Sequence, residues 1–336
     1  MVLYDPPMPQ ISRSEIEQTT RDALEVHGAS AEVATSVAHA VGVAEGNGNK
    51  ICGLYYVESY CKQLESGRVD GDVEPTVTTD RPGAVRVDAQ LGFAQPAFAA
   101  GFSAAVEAAR TNGICGYSIE QSHTCTAVGY FTEQFAREGL LAIGTTNATA
   151  VVSPPGGSDR LLGTNPIAMA VPDGQGGVAF QFDFSTSAIA LGKITMAAAA
   201  GESIPEGWAV DADGNPTTDP KAALAGSLLS AGGHKGFGIG LLVELLAAGL
   251  TGGRLSTELA PLKAADGPPH ALGQFYVVID PGAYSGDGFY ERLAALAANV
   301  EAQEGARLPG SAKTTADQVD VDATAWESVC ALANRP

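Results

Sequence analysis

The 336-residue sequence predicts an α/β fold that carries a helical N-terminal region, on three observations. Apolar residues recur at helical spacing as far as Gly67, and from about residue 83 short β-rich runs alternate with helical patterns. No G-x-G-x-x-G follows a predicted strand, so the usual dinucleotide-binding crossover is not expected.

Taken in order, Ser12-x-x-Glu15 and Ser14-x-x-Glu17 are overlapping capping boxes, and residues 12–45 read as two helices broken near Gly28. KICGLYYVESYCKQLESG keeps Leu54, Val57, Tyr60 and Leu64 on one face and reads as a further helix. AVRVDA, ICGYSIEQS and LLAIGTTNA then read as strands, separated by the helices FAQPAFAAGFSAAVEAARTNG and AVGYFTEQFAREG. NPIAMAVP and GVAFQFDF are strands around a PDGQGG turn, and VDADGNPTTDP is a loop with a tight turn at Asp213-Gly214. A long apolar helix opens at Gly232, GQFYVVIDP is one more strand, and FYERLAALAANVEAQ one more helix. The chain divides into a helical region (1–75), an α/β domain (76–285) and a C-terminal helical segment (286–336) expected to pack against the first.

Thirty-eight acidic residues against 19 basic ones give a formal charge of −19, with no basic patch, which excludes nucleic acid and anionic membranes as partners. The five cysteines, Cys52, Cys61, Cys115, Cys125 and Cys330, show no C-x-x-C spacing, so reduced thiols fit better than disulfides or zinc. With neither a signal-like N-terminus nor a run of 18 apolar residues, a soluble, cytoplasmic protein acting on a small molecule is expected.

Four stretches carry groups suited to chemistry. Gly232-Gly233-His234-Lys235-Gly236-Phe237-Gly238 places glycines, free helix-start N–H groups and a lysine together, as an anion site requires; the plain alternative is helix packing with a solvated lysine. Ser122-His123 stands where a strand ends and a helix begins, a usual ligand position, though a lone histidine is more often a structural hydrogen-bonder. Pro154-Pro155-Gly156-Gly157 and Gly163-Thr164-Asn165-Pro166 are tight turns with no chemistry of their own. Asp183 ends a strand, followed by Ser185, Thr186 and Ser187 as caps for the next helix.

In combination these pieces are more specific. The succession SHT…AVGYF, NATAVVSPPGG, LLGTNPIAMAVP, FDFSTSAIALGKI, IPEGWAVDADGNPTTDP, GGHKGFGIGLLVELLAAGLTGG and GQFYVVIDP resembles the malate/L-lactate dehydrogenase family of the second type, over about residues 10–310. That family includes ureidoglycolate and sulfolactate dehydrogenases and reductases of piperideine and pyrroline carboxylates. The resemblance implies a non-Rossmann, sulfolactate/malate-dehydrogenase-like α/β fold, NADPH or NADH as cofactor, and a homodimer. By the same resemblance His123, Thr124, Cys125, Thr126, Ala127, Asn147, Asp183, Phe184, Ser185, His234, Lys235 and Gly236 line the dinucleotide, with Thr164 near the substrate.

The likeness breaks at the front. The family reads S-H-G-x-x-R-x-x-x-Y, with the histidine as proton donor and the arginine clamping the substrate carboxylate. Here Gly53 and Tyr60 remain, but Cys52 holds the histidine's place and Tyr56 the arginine's. A thiol of ordinary pKa relays protons poorly at pH 7, and a tyrosine cannot make a bidentate, charge-assisted contact. Three readings follow: an imine substrate already protonated by solvent, a carbonyl substrate without an α-carboxylate, or loss of hydride transfer with the fold kept for binding or non-redox chemistry. Reduction of a C=N or C=O group of a small metabolite is the favoured expectation. His123 is the acid/base candidate, Asp183 an orienting group, Tyr56 the substrate-facing residue, and Cys52 a thiol or simple filler; Arg160 and Arg307 are candidates for reading a 2′-phosphate.

Overall fold

A computed structural model describes residues 8–311 and 313–334; the reading of the extreme N-terminus falls largely outside them. The chain enters through a short strand, β1 (Gln10–Ser12), and two helices, α1 (Arg13–Val26) and α2 (Ala31–Gly46). Ser12 caps α1 by accepting the Glu15 N–H at 3.2 Å, and Ser30 caps α2. The break between them is Gly28, whose φ of +107° a side chain would resist. The helix expected from residue 50 is interrupted: two 3₁₀ turns, Lys50–Cys52 and Leu54–Tyr56, precede α3 (Val57–Glu65). The buried Glu45 carboxylate causes this, taking the Leu54 N–H at 2.8 Å and standing where a Cβ on Gly53 would fall.

The central sheet contains β2 (Thr76–Arg81), β3 (Ala84–Asp88), β4 (Ile114–Ser122), β5 (Leu141–Thr146), β6 (Ile167–Pro172), β7 (Val178–Phe184) and β11 (Leu272–Ile279). Its order is β2-β3-β4-β11-β5-β6-β7, and β3/β4 is its one parallel pairing among the described residues. An all-parallel dinucleotide fold is thereby excluded, as the missing glycine fingerprint implied. Helices α4 (Ala94–Asn112) and α5 (Gly129–Arg137) cover one face and share its core, where Phe98, Tyr117, Phe131, Phe135 and Tyr276 interlock as aromatic pairs.

The sequence reading expected a helix after Ser187 and, in the rest of residues 190–230, a loop with a turn. Together these residues form a satellite core, with α6 (Leu191–Ala200), α7 (Pro220–Ala225) and a three-stranded sheet of β8 (Ala209–Val210), β9 (Pro216–Thr217) and β10 (Ser227–Leu228) around Ile194, Ile204 and Leu228. The expected turn is present: the Asp211 carboxylate takes the N–H groups of Asp213 and Asn215, and Gly214 has φ +84°. The apolar helix α8 (His234–Glu244) runs on into a π-helical turn, Leu245–Gly249. Beyond β11 come α9 (Gly282–Ser285), α10 (Gly288–Glu301), β12 (Gln318–Asp320) and α11 (Ala323–Leu332). β12 pairs with β1, and Val319, Val321 and Val329 share a core with α1, α2 and α3, so β12 and α11 pack on the N-terminal helices. No helix among the described residues is long and apolar enough to cross a membrane.

β11 crosses the middle of the sheet and comes close to the π-helical turn. A Cβ on Gly273 would overlap the Ala247 carbonyl and the Thr251 hydroxyl. Gly273→Ala is therefore expected to destabilise the fold by about 3 kcal/mol in urea unfolding, while Gly83→Ala, whose nearest neighbour lies at 3.7 Å, changes it by less than about 0.5 kcal/mol.

Candidate active site

An open cleft lies between the N-terminal helices and the sheet. Asn47 and Asn49 line it from the end of α2, Cys125, Thr126 and Ala127 from the loop after β4, Gln181 and Asp183 from β7, and Gly310 and Lys313 from the C-terminal segment. Asp183 does not act on the helix that follows it. Its carboxylate accepts the Gly129 N–H at 2.8 Å and so caps α5 from the neighbouring strand. Ser185, Thr186 and Ser187 are not caps either: Ser187 donates to the Ile189 carbonyl at 2.8 Å, Thr186 to that of Asn165 at 3.1 Å, and α6 starts at Ala190 with no side-chain cap. Asp183 opens onto the cleft yet is surrounded by protein, and this burial raises its pKa against the pull of Gly129 and Lys313.

Cys52 and Tyr56 stand beside this cleft. Burial, aided by the Asp183 charge, pushes the Cys52 thiol up to about 12, although Asn49 hydrogen-bonds it. Burial pushes the Tyr56 hydroxyl up to about 12 as well, with Cys52 and Tyr55 adding to it. Both groups are fully protonated at neutral pH. Tyr56 stacks on Tyr60 with ring centroids 5.8 Å apart, and Tyr60 meets Phe93 and His123 edge-on.

His123 lies behind the cleft wall rather than on it, 1% exposed. Its Nε2–H points to Gln63 Oε1 at 2.8 Å, because the Gln63 amide nitrogen already donates to the carbonyls of Leu262 and Ala264. The ring stacks on His270 at 4.1 Å, and Thr124 N–H donates to His270 Nδ1. Burial holds His123 well below the ordinary histidine range and His270 down at about 3, with Arg68 also acting on both. The His123 ring proton is thus engaged, and a second proton is disfavoured. Arg68 is itself buried and donates to the carbonyls of Pro261, Ala264 and Pro268, which pins residues 261–268 against α3.

The residues singled out in the sequence thus separate. Cys125, Thr126, Ala127 and Asp183 share the first cleft. His234 and Lys235 are exposed at the start of α8, where Gly232 and Gly233 border a second cavity with Ser153, Pro155 and Ala188. Gly236 is held tightly, since a Cβ there would overlap the Ala231 carbonyl. Thr186–Ala188 links the two places through hydrogen bonds from Ala231 N–H to the Thr186 carbonyl and from Ala188 N–H to that of Leu229. Thr164 contributes its carbonyl to Thr186, Phe184 is half exposed and stacks on Phe182, and Asn147 donates to Arg254 while its buried Oδ1 has no partner among the described residues. Arg160 donates to the carbonyls of Gly226 and Leu224.

Lys313, Gly310, Gln181 and Asn49 were missed in the sequence, and a cation in so acidic a chain was the available signal. Lys313 pairs with Glu133 at 2.9 Å, and Arg137 takes the other Glu133 oxygen at 2.7 Å. A nicotinamide dinucleotide fits this lining: Gln181 Oε1 is a buried acceptor without a partner, ready for an amide N–H, and Lys313 supplies positive charge.

The fold and the comparisons with known proteins place the chain among the oxidoreductases. Residues 11–323 match the malate/L-lactate dehydrogenase family, and the chain belongs to it. It is 42% identical over 298 residues (88% of this chain, 87% of the relative) to a Δ1-pyrroline-2-carboxylate/Δ1-piperideine-2-carboxylate reductase of Pseudomonas putida. It is 40% identical over 301 residues (90% of each) to an NADP⁺-dependent (2R)-3-sulfolactate dehydrogenase of Chromohalobacter salexigens. The crystal structure of Δ1-piperideine-2-carboxylate reductase from Pseudomonas syringae superposes with a TM-score of 0.88 at 38% identity, covering 96% of this chain and 99% of that one.

The stacked histidines make stability pH-dependent. Their folded-state pKa values lie below the unfolded value near 6.5, so as pH falls the unfolded chain gains protons first and stability drops. Between pH 7 and pH 5 each histidine is expected to remove about 2 kcal/mol. Denaturant unfolding at both pH values checks this, and His270→Phe should cut the pH-dependent part by about half.

Proposed function

We propose that the chain reduces the C=N bond of a small cyclic imine bearing a carboxylate, with NADPH or NADH supplying the hydride, as a cytoplasmic homodimer. One observation carries the substrate choice: Cys52, Tyr56 and His123 are each locked in a single protonation state at neutral pH. Reduction of a ketone leaves an alkoxide that must be protonated as it forms, and the thiol and phenol here are much weaker acids than the histidine that the family carries at position 52. An iminium ion arrives with its proton in place and becomes an amine on accepting hydride. What it needs is charge balance and orientation. Asp183, the one carboxylate among the described lining residues, faces that cation, while the Tyr56 hydroxyl and Cys52 thiol donate hydrogen bonds without parting with their protons. The relatives named for pyrroline and piperideine carboxylates support the same class.

Gln181 and Asp183 hold the cofactor's carboxamide end, and Lys313 and Lys235 its phosphates. The homodimer rests on α8 and its extension, where Ile239, Leu241, Leu242, Leu245 and Leu250 are exposed in one run that a second copy would cover. The cytoplasmic assignment rests on the free state of all five cysteines.

Purified protein supplied with NADPH or NADH is expected to turn over Δ1-pyrroline-2-carboxylate or Δ1-piperideine-2-carboxylate with kcat/KM at least ~100-fold above pyruvate or oxaloacetate, a difference of about 2.7 kcal/mol. Brisk reduction of the keto acids removes the protonation argument. In NADPH fluorescence titrations, Lys235→Gln and Lys313→Gln should each weaken binding about tenfold, the scale of one charge-assisted contact. A variant that binds like the wild type loses its assigned place.

A further inference from the structure

The imine-carboxylate reading leaves the carboxylate without a cation, since Tyr56 cannot pair with it. Most positive side chains around the site are already committed. Lys313, which also pairs with Glu133, is assigned to the cofactor, Arg137 holds Glu133, Arg68 gives its donors to three loop carbonyls, and Arg254 donates to the Pro269 carbonyl. Lys263 differs. Its ammonium lies 3.4 Å from the centroid of the Tyr55 ring and 5.7 Å from that of Tyr56. None of the ion pairs among the described residues includes it.

The position of Lys263 is built. Gln63 donates to the carbonyls on either side of it, Leu262 at 2.8 Å and Ala264 at 2.7 Å, while Ser66 donates to Ala265 and Arg68 to Pro261, Ala264 and Pro268. The Gln63 that fixes this loop also takes the His123 proton, so loop, α3 and the end of β4 are held as one unit. An ammonium resting on an aromatic face is attracted by the ring yet keeps N–H donors free for an anion.

We propose that Lys263 is the residue that receives the substrate's carboxylate, with Tyr55 and Tyr56 as the aromatic seat that places its ammonium. This rests on the imine-carboxylate reading, with the positive charge delivered from a different strand of chain than position 56. Being exposed, Lys263 can be changed without disturbing a core.

Two measurements test it. With imine substrates, the ratio of kcat/KM for Δ1-pyrroline-2-carboxylate to that for 1-pyrroline, which lacks the carboxylate, should fall about 10- to 100-fold in Lys263→Met. The loss should lie mainly in KM, and Lys263→Arg should recover most of it. An unchanged ratio overturns the proposal. Calorimetric titration with pyrrole-2-carboxylate, in the presence of NADP⁺, reads binding without turnover. Binding that weakens by the same factor in Lys263→Met supports the proposal even if no imine is reduced, in which case the reductase reading alone falls. Binding that does not depend on residue 263, or no binding by the wild type, overturns it.

Discussion

Gln63 sits where the N-terminal helices, the central sheet and the loop before β11 meet, and its buried amide must satisfy an acceptor and two donors without solvent. It does so with His123 on one side and the carbonyls of Leu262 and Ala264 on the other. A buried polar group left unpaired costs about 1–3 kcal/mol, so the three partners are held at once or not at all. The consequences run outward. The His123 tautomer is set, its ring is pressed against His270, Tyr60 and Phe93, and the 261–268 loop is drawn onto α3. The wall of the cleft is thus rigid for reasons of hydrogen bonding, independent of any ligand.

The same burial decides the chemistry. Hydroxyl and thiol groups surrounded by protein lose the solvation that would stabilise their anions, and an imidazole loses that of its cation. Tyr56, Cys52 and His123 are therefore all uncharged, and the charge left facing the cleft belongs to Asp183 and Lys313. Asp183 has two opposing influences upon it: its surroundings favour the neutral acid, while the helix-start N–H of Gly129 and the charge of Lys313 favour the carboxylate. A cleft built in this way discriminates by charge placement rather than by proton transfer. That suits a substrate carrying its own proton.

Much of the fold was legible because periodicity and turn chemistry act locally. Ser12 and Ser30 announce α1 and α2, Gly28 separates them, and the strands from β3 to β7 and β11 alternate or run apolar as half-buried and buried strands do. Where distant residues decide, the reading failed. The 3₁₀ turns before α3 depend on Glu45, the satellite sheet has strands of two residues with no pattern to detect, and Asp183 caps a helix 54 residues earlier rather than the next one. In the site, Cys125, Thr126, Ala127 and Asp183 share a loop-and-strand signature and were found together. Lys313 and Gln181 were not, since their meeting follows from a chain return at Pro309–Gly310, which seats against the Gln181 backbone.

The altered motif at residues 51–60 separates along the same physical line. Gly53 cannot accept a side chain, because the Glu45 carboxylate occupies that volume, and Tyr60 is 1% exposed with its ring wedged among Phe93, Tyr56 and His123. Replacing either would disturb the brace around Gln63. Positions 52 and 56 are only partly buried beside the cleft, and of the two only Tyr56 touches that brace, through its ring stacked on Tyr60. Packing holds the family's residue at positions 53 and 60, and the departures at 52 and 56 fall beside the cleft. The departures at positions 52 and 56 bear on proton supply and anion recognition, beside the cleft that Cys125, Thr126, Ala127 and Asp183 line.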